Sequence, residues 1–177
     1  SAGAKVVDCG MATTPAMFMS IVFPATQFHG SAMITASHLP FNRNGIKFFD
    51  ADGGLEHDDI TEILKLAGML NPQHVNYFPE PVDLLTLYAD HLREAIIQGI
   101  NSDSDKPLEG LKIVVDSGNG ASGFFVDKIL KPLGADTTGS QFLEPDGMFP
   151  NHIPNPENKQ AMEAIRNAVL NNKADLG

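Results

Sequence analysis

Ser37 and His38 stand side by side in the run Thr35-Ala36-Ser37-His38-Leu39-Pro40, and Asn44, Gly45 and Lys47 follow closely. A hydroxyl, an imidazole and an ammonium group this close in sequence could support group transfer. A serine hydroxyl is a weak nucleophile until a base, a charge or a metal assists it. Neighbouring side chains on extended backbone point opposite ways, so adjacency does not make His38 the base for Ser37. The hydrolase elbow G-x-S-x-G fails, because Thr35 and Leu39 occupy its glycine positions. On residue types alone, an ordinary turn with the hydroxyl bonded to backbone is the favoured reading.

The flanking runs must position these groups. Met33 to Ala36 reads as a buried strand and Ile46 to Phe49 as a second one. Pro40 keeps Leu39 out of the helical region, and Asn44-Gly45 is a turn pair. Ser37 is therefore expected at the carboxyl end of a strand, on a loop held at both ends by sheet, where open α/β folds bind ligands.

Around this loop the chain reads as alternating strands and helices. Lys5 to Asp8 is a strand; Thr13-Thr14-Pro15 opens a helix that carries Ala16 to Phe23 and stops at Pro24. Asp50 to Gly54 is a turn. His57 to Leu70 is a helix with Ile60, Ile63, Leu64 and Ala67 on one face and Asp58 and Asp59 at its positive end. The prolines in 71–81 mark a connector, and Val82 to Ile100 is a long helix. Strand-turn-helix then recurs: Leu111 to Asp116 is a strand, 117–123 a glycine-rich turn, and Phe124 to Leu133 a helix buried through Val126, Ile129, Leu130 and Leu133. Ala135 to Thr138 is a short strand, 144–156 a loop, and Glu157 to Asn172 a helix buried through Ala161, Ile165, Ala168 and Val169. The expected class is α/β: two layered α/β domains with mixed sheets flanked by helices, both incomplete. The expected division is 1–100 as the first domain, 101–107 as a polar linker, and 108–177 as the second.

Composition bounds the function. Hydrophobic residues make up 42% of 177, enough for a core, and the formal net charge is −10, which argues against a nucleic-acid backbone as partner. Cys9 is the single cysteine, so no internal disulfide or thiolate cage can form, and it reads as an inert apolar residue. The apolar run Ala16 to Ala25 is too short to span a bilayer and has no basic flank. The expectation is a cytoplasmic protein without membrane attachment, an organelle such as a plastid remaining open, and with no oligomeric state specified.

Other motifs offer rival chemistry. Gly118-x-Gly120-x-x-Gly123 follows a strand, opens a helix and has Asp136 downstream, as a dinucleotide site requires. Asp116-Ser117 stand where that fingerprint is apolar, so a tight strand-to-helix turn is the plainer reading. Asp50 and Asp52, one residue apart after an apolar strand, resemble the first motif of haloacid-dehalogenase-type phosphatases. Gly54 stands where that motif wants Thr or Val, and an exposed acidic turn is the plainer reading. His29, His57, His74, His91 and His152 have no metal-ligand spacing and read as surface or capping residues, His152 apart.

Ordered segments across nearly the whole chain resemble the α-D-phosphohexomutases, the family of phosphoglucomutases, phosphomannomutases and phosphoglucosamine mutases. Thr35-Ala36-Ser37-His38-Leu39-Pro40 with Asn44-Gly45-Ile46-Lys47 is similar to its serine loop. Asp8-Cys9-Gly10 with Thr14-Pro15, Val115 to Gly123, Asp146 to His152 with Pro154-Asn155-Pro156, and Ala174 to Gly177 resemble further family segments in the same order. The resemblance implies an intramolecular phosphotransferase that interconverts hexose 1-phosphate and hexose 6-phosphate through a phosphoserine and a hexose 1,6-bisphosphate. Ser37 matches the phosphorylated serine, Lys47 the loop lysine that neutralises charge or assists proton transfer, and His38 a donor to phosphate or sugar oxygens. Asn44 and Gly45 match the residues that shape the loop. It further implies Mg2+, bound through the Ser37 phosphate and the aspartates of a D-x-D-x-D-R run, which 1–177 does not contain. Little turnover is therefore expected of this chain alone. Leu39 replaces the usual Asn or Asp, a departure that lends some support to an alternative, a non-catalytic module that keeps the fold.

Overall fold

The computed structural model describes residues 3–71 and 78–177. Contacts divide the chain into two units, Ser1–Thr35 with Gly45–Leu84, and Ala36–Asn44 with Leu85–Gly177. The connector read over 71–81 lies partly outside the described residues, as does His74.

In the first unit β1 (Val7–Asp8) pairs in parallel with β5 (Glu80–Pro81), and Val82 N donates to Asp8 O at 2.8 Å. The helix α1 (Thr14–Val22) begins where the Thr13 hydroxyl accepts from Ala16 N, with a proline in its first turn. It ends at Phe23, which Pro24 holds in extended conformation. Ala16, Met17 and Ser20 are its buried residues, Ala16 and Ser20 four apart on one face. The Ser20 hydroxyl satisfies itself by donating to Met17 O at 2.6 Å. Against α1 lies an antiparallel sheet, β2 (Ser31–Ile34), β3 (Ile46–Asp50) and β4 (Gly53–Gly54), with β3 central. Ser31 Oγ donates to Met17 O at 2.8 Å, and the Phe18 and Phe49 rings lie 6.2 Å apart.

Two expectations for this unit change. The β2 strand is not buried: Ile34 is 75% exposed, because β2 is an edge strand covered on one face only. The helix α2 (His57–Met69) forms as read, with a reciprocal Glu56–Asp59 capping box and acidic residues in its first turn. Its apolar stripe, however, is not covered among the described residues: none of its side chains is buried, and Leu64 is 66% exposed. Local capping and charge suffice to specify the helix without a packed face.

In the second unit α3 (Leu84–Ile100) contributes Ala89, Leu92, Ile96 and Ile97 to a core shared with Leu108, Ile113, Ile129, Leu133 and Ala135. The sequence reading assigned this helix to the first domain; its contacts from Leu85 onward belong to the second unit. Asn101 to Pro107, read as a linker, is thus a loop inside that unit. Segment 112–116 is flanked on one side by 136–141 and on the other by 175–176, through parallel bridges Lys112–Asp136, Asp116–Gln141 and Ile113–Leu176. These are isolated bridges rather than full strands; pairing is parallel here, and in the first unit it is parallel for β1 with β5 and antiparallel for β2, β3 and β4. The helix read over 124–133 is instead a 3₁₀ turn (Ala121–Gly123) running into a π-helical turn (Val126–Leu130). Val126, Ile129 and Leu133 are buried as expected. Pro132 has no N–H to offer Lys128 O four residues back, and Arg93 of α3 supplies the missing donor, Nη1 to Lys128 O at 2.6 Å. The tie is reciprocal, since Lys128 Nζ donates to Thr86 Oγ1 at 2.8 Å. Finally α4 (Lys159–Asn172) starts at Asn158, whose side chain accepts from Gln160 N and Ala161 N, and ends on Lys173 in the left-handed region.

Candidate functional site

The loop that carries Ser37 leaves β2 and returns into β3, and Thr35 N donates to Gly45 O at 2.9 Å across its mouth. A Cβ on Gly45 would lie 2.9 Å from Thr35 O, closer than real side chains approach, so glycine is what lets the two strands meet there. Within the loop, Leu39 N donates to Ala36 O and Arg43 N to Pro40 O, two successive tight turns. Ser37 occupies the first of them at φ +57°, a conformation L residues other than Asn, Asp and Gly seldom adopt.

That backbone overturns the expectation that Ser37 and His38 point apart. On a left-handed residue the alternation of extended chain is lost, and Ser37 Oγ comes to 3.4 Å from His38 Nδ1, both side chains exposed. Asn44 is exposed in the same loop, and Leu39, half exposed, makes no polar bond with its side chain. Lys47 lies on β3 opposite Met33, on the face that also carries Phe49, and is exposed. The structure therefore brings Ser37 and His38 together directly, with Gly45 at the loop mouth.

The rival motifs resolve into structure. Asp50 and Asp52 belong to a hairpin: Asp50 Oδ1 accepts from Asp52 N at 2.9 Å and from Gly53 N at 3.2 Å. Its carboxylate caps the turn, the plainer reading given above. Asp136 likewise caps Thr138 N at 2.9 Å, with Lys112 Nζ 3.7 Å away. The bond from Thr138, with help from Lys112, holds the Asp136 carboxyl below its usual range. Gly123 is required for packing, since a Cβ there would sit 2.1 Å from Leu143 O. Half-burial, with Asp8 beside it, pushes the Cys9 thiol up, away from the reactive thiolate.

One constellation was not read from the sequence. Asp116, at the end of segment 112–116, meets His152 from the loop 144–156, with Nε2 3.0 and 3.1 Å from the two carboxylate oxygens. Both side chains are 6% exposed. Gly118 N and Gln141 Nε2 also donate to the Asp116 carboxylate, and His152 Nδ1 lies 3.0 Å from Ile153 O. Burial alone would pull the imidazole down, but the Ile153 carbonyl and the Asp116 carboxylate outweigh it and hold His152 above its ordinary value. Gly118, at φ +52°, has no room for a side chain: a Cβ would lie 3.0 Å from His152 Cε1. The pair borders a cavity of about 520 Å³ lined also by Val115, Met162, Ile165 and Leu176. The glycine run and the D-G-x-F-P-N-H run each hold one partner, and nothing in their spacing pairs them.

Known proteins bear on both units. Residues 86–177 match the family model described as phosphoglucomutase/phosphomannomutase, alpha/beta/alpha domain II, and residues 1–68 match domain I of the same family. The chain belongs to the phosphoglucomutase/phosphomannomutase family. The domain II match starts at residue 86, next to the contact boundary at Leu85, and so takes in nearly all of α3. Among relatives, a probable phosphoglucosamine mutase of Methanopyrus kandleri is 35% identical over 99% of the chain. A phosphoglucomutase of Neisseria gonorrhoeae and a phosphomannomutase of Escherichia coli are each 31% identical over 99% of it. The chain spans 37%, 36% and 39% of those three proteins' lengths, respectively. No helix among the described residues is long and apolar enough to cross a membrane.

Proposed function

We propose that this chain carries the phosphoryl-accepting loop of a phosphohexomutase, with Ser37 as the acceptor and a hexose 1- or 6-phosphate as substrate. The observation that carries the reading is Ser37 itself: exposed, held at φ +57°, with an imidazole nitrogen 3.4 Å from its hydroxyl. Strained backbone of this kind costs about 1–3 kcal/mol and concentrates at functional sites. Family membership and the names of the relatives support the same assignment.

In the proposed cycle the phosphoserine passes its phosphoryl group to a free hydroxyl of the sugar phosphate. The bond from phosphorus to Ser37 Oγ breaks, a bond to the sugar oxygen forms, and the sugar hydroxyl loses its proton. The hexose 1,6-bisphosphate then presents its other phosphoryl group, which returns to Ser37. Such transfers depend on positioning and charge neutralisation. His38 donates to the phosphate or sugar oxygens, Lys47 neutralises charge or takes part in the proton transfer, and Asn44 and Gly45 fix the loop. A metal such as Mg2+ would supply further neutralisation. Of its implied ligands these residues provide only the Ser37 phosphate, and no group of three or more His, Cys, Asp or Glu gathers among the described residues. No step is routed through it.

The test is label transfer. The polypeptide bearing residues 1–177 is incubated with hexose 1,6-bisphosphate labelled in phosphorus, and labelled peptides are mapped. Label on the peptide containing Ser37, lost in Ser37→Ala while the fold persists, is the expected result. A folded protein that takes no label, or takes it elsewhere with full turnover, favours the non-catalytic module and overturns the proposal.

A further inference from the structure

We propose that the His152–Asp116 pair is a proton-operated latch: a doubly protonated imidazole fastens loop 144–156 to the end of segment 112–116, and loss of one proton releases it. The inference stands apart from the proposed activity and rests on who faces the ring. Nδ1 faces the Ile153 carbonyl at 3.0 Å, and Nε2 faces both Asp116 oxygens at 3.0 and 3.1 Å. A carbonyl and an ionised carboxylate only accept, so both ring nitrogens must donate. A neutral imidazole has a single N–H and turns a lone pair on one of these oxygens.

The surroundings leave no easy remedy. Both side chains are 6% exposed, which keeps water from substituting for the lost bond. Reorienting the ring is opposed by Phe142, whose ring meets the imidazole edge-on at 5.5 Å. From the elements packed on the ring, Asp116 supplies the charge that faces it; Gln141 contributes an amide bonded to Asp116, and Gly118 a backbone N–H. On the loop itself Asp146 accepts from Met148 N, and Glu144 is exposed.

The loop's other anchors are neutral. Asn119 Nδ2 donates to Glu144 O, Asp146 N to Asn119 O, and Asn151 Nδ2 to Asn119 Oδ1. Pro154, Asn155 and Pro156 of the same loop wall the cavity, so release of the latch widens its mouth. The sign follows from linkage. The hold is complete below the midpoint of an unperturbed imidazole, about 6.5, and is lost as pH rises through the higher folded-state midpoint.

The experiment is a pH titration of the 177-residue chain, with imidazole Cε1–H resonances followed by NMR and amide exchange read at Gly118 and Asp146. His152 is expected to titrate above about 6.5. Protection at both amides, corrected for intrinsic exchange, should fall through the same midpoint. The fall should be about tenfold for each unit by which that midpoint exceeds the unperturbed one. In His152→Gln the protection should no longer vary over this range. A His152 midpoint at or below about 6.5, flat protection in the unsubstituted chain, or pH dependence that survives in the variant overturns the latch. Should the variant not fold, the titration of the unsubstituted chain decides alone.

Discussion

Replacing Arg93 by Met keeps an unbranched stem of similar length and removes every donor, which isolates the bond to Lys128 O. That bond, 2.6 Å from a guanidinium to a half-buried carbonyl, is charge-assisted. Bonds of this class contribute about 1.5–3 kcal/mol when one partner is deleted. The accompanying pair with Asp90, half exposed, adds little. The expected cost of Arg93→Met is therefore about 2 kcal/mol, close to a thirtyfold rise in the opening constant of the second unit. Pro132 supplies the control. Pro132→Ala restores an N–H where Lys128 O lacks one, so the same Arg93 substitution should cost about 1 kcal/mol less in the Pro132→Ala background. The assay is amide exchange of peptides from α3 and from 124–135 in the two single variants and the double variant. An Arg93→Met cost below about 0.5 kcal/mol, or an equal cost in both backgrounds, would refute the idea that the arginine completes a helix the proline left open.

Two glycines give further outcomes. Gly123→Ala places a Cβ 2.1 Å from Leu143 O, a clash with backbone that cannot swing aside. It should cost more than about 3 kcal/mol in urea denaturation of the second unit, whereas a glycine kept for a dinucleotide would leave stability near that of the parent. Gly45→Ala forces Thr35 and Gly45 apart and loses their 2.9 Å bond, so strand-end amides from Ile34 to Ile46 should exchange faster by about an order of magnitude. Unchanged exchange there would show that the loop mouth is not tightly closed.

Much of this was legible because it is local. Thr13, Pro15 and Pro24 bracket α1, and the apolar spacing of Ala161 and Ala168 marks the buried side of α4; each signal acts within a few residues. Ser37 was placed on its loop between strands for the same reason. Its left-handed backbone was not foreseen, since serine has no preference for it, and the contact with His38 follows from that backbone alone. The π-helical turn and its arginine tie depend on Pro132 and on a partner 35 positions away. The His152–Asp116 pair spans 36 positions between unrelated motifs. The unit boundary was misjudged because Asn101 to Pro107 has a linker's composition, while membership is decided by what α3 packs against. Apolar spacing on α2 and β2 likewise identified faces without saying whether anything covers them.

The parallel pair of β1 and β5 also bears on the order in which the chain can fold during synthesis. Val7 must find Glu80, closing a loop of about seventy residues, whereas Ile34 and Ile46 close one of about a dozen. The longer closure costs about 1.6 kcal/mol more and offers a two-residue ladder in return. The hairpin of β2 and β3 with α1 can assemble as soon as Asp50 clears the ribosome, while Val7 and Asp8 wait with their backbone unpaired until Pro81 emerges. Between those moments Val7 and Asp8, made well before their partner, stay unsecured, and they are the stretch of the first unit where a holding chaperone would have most to do.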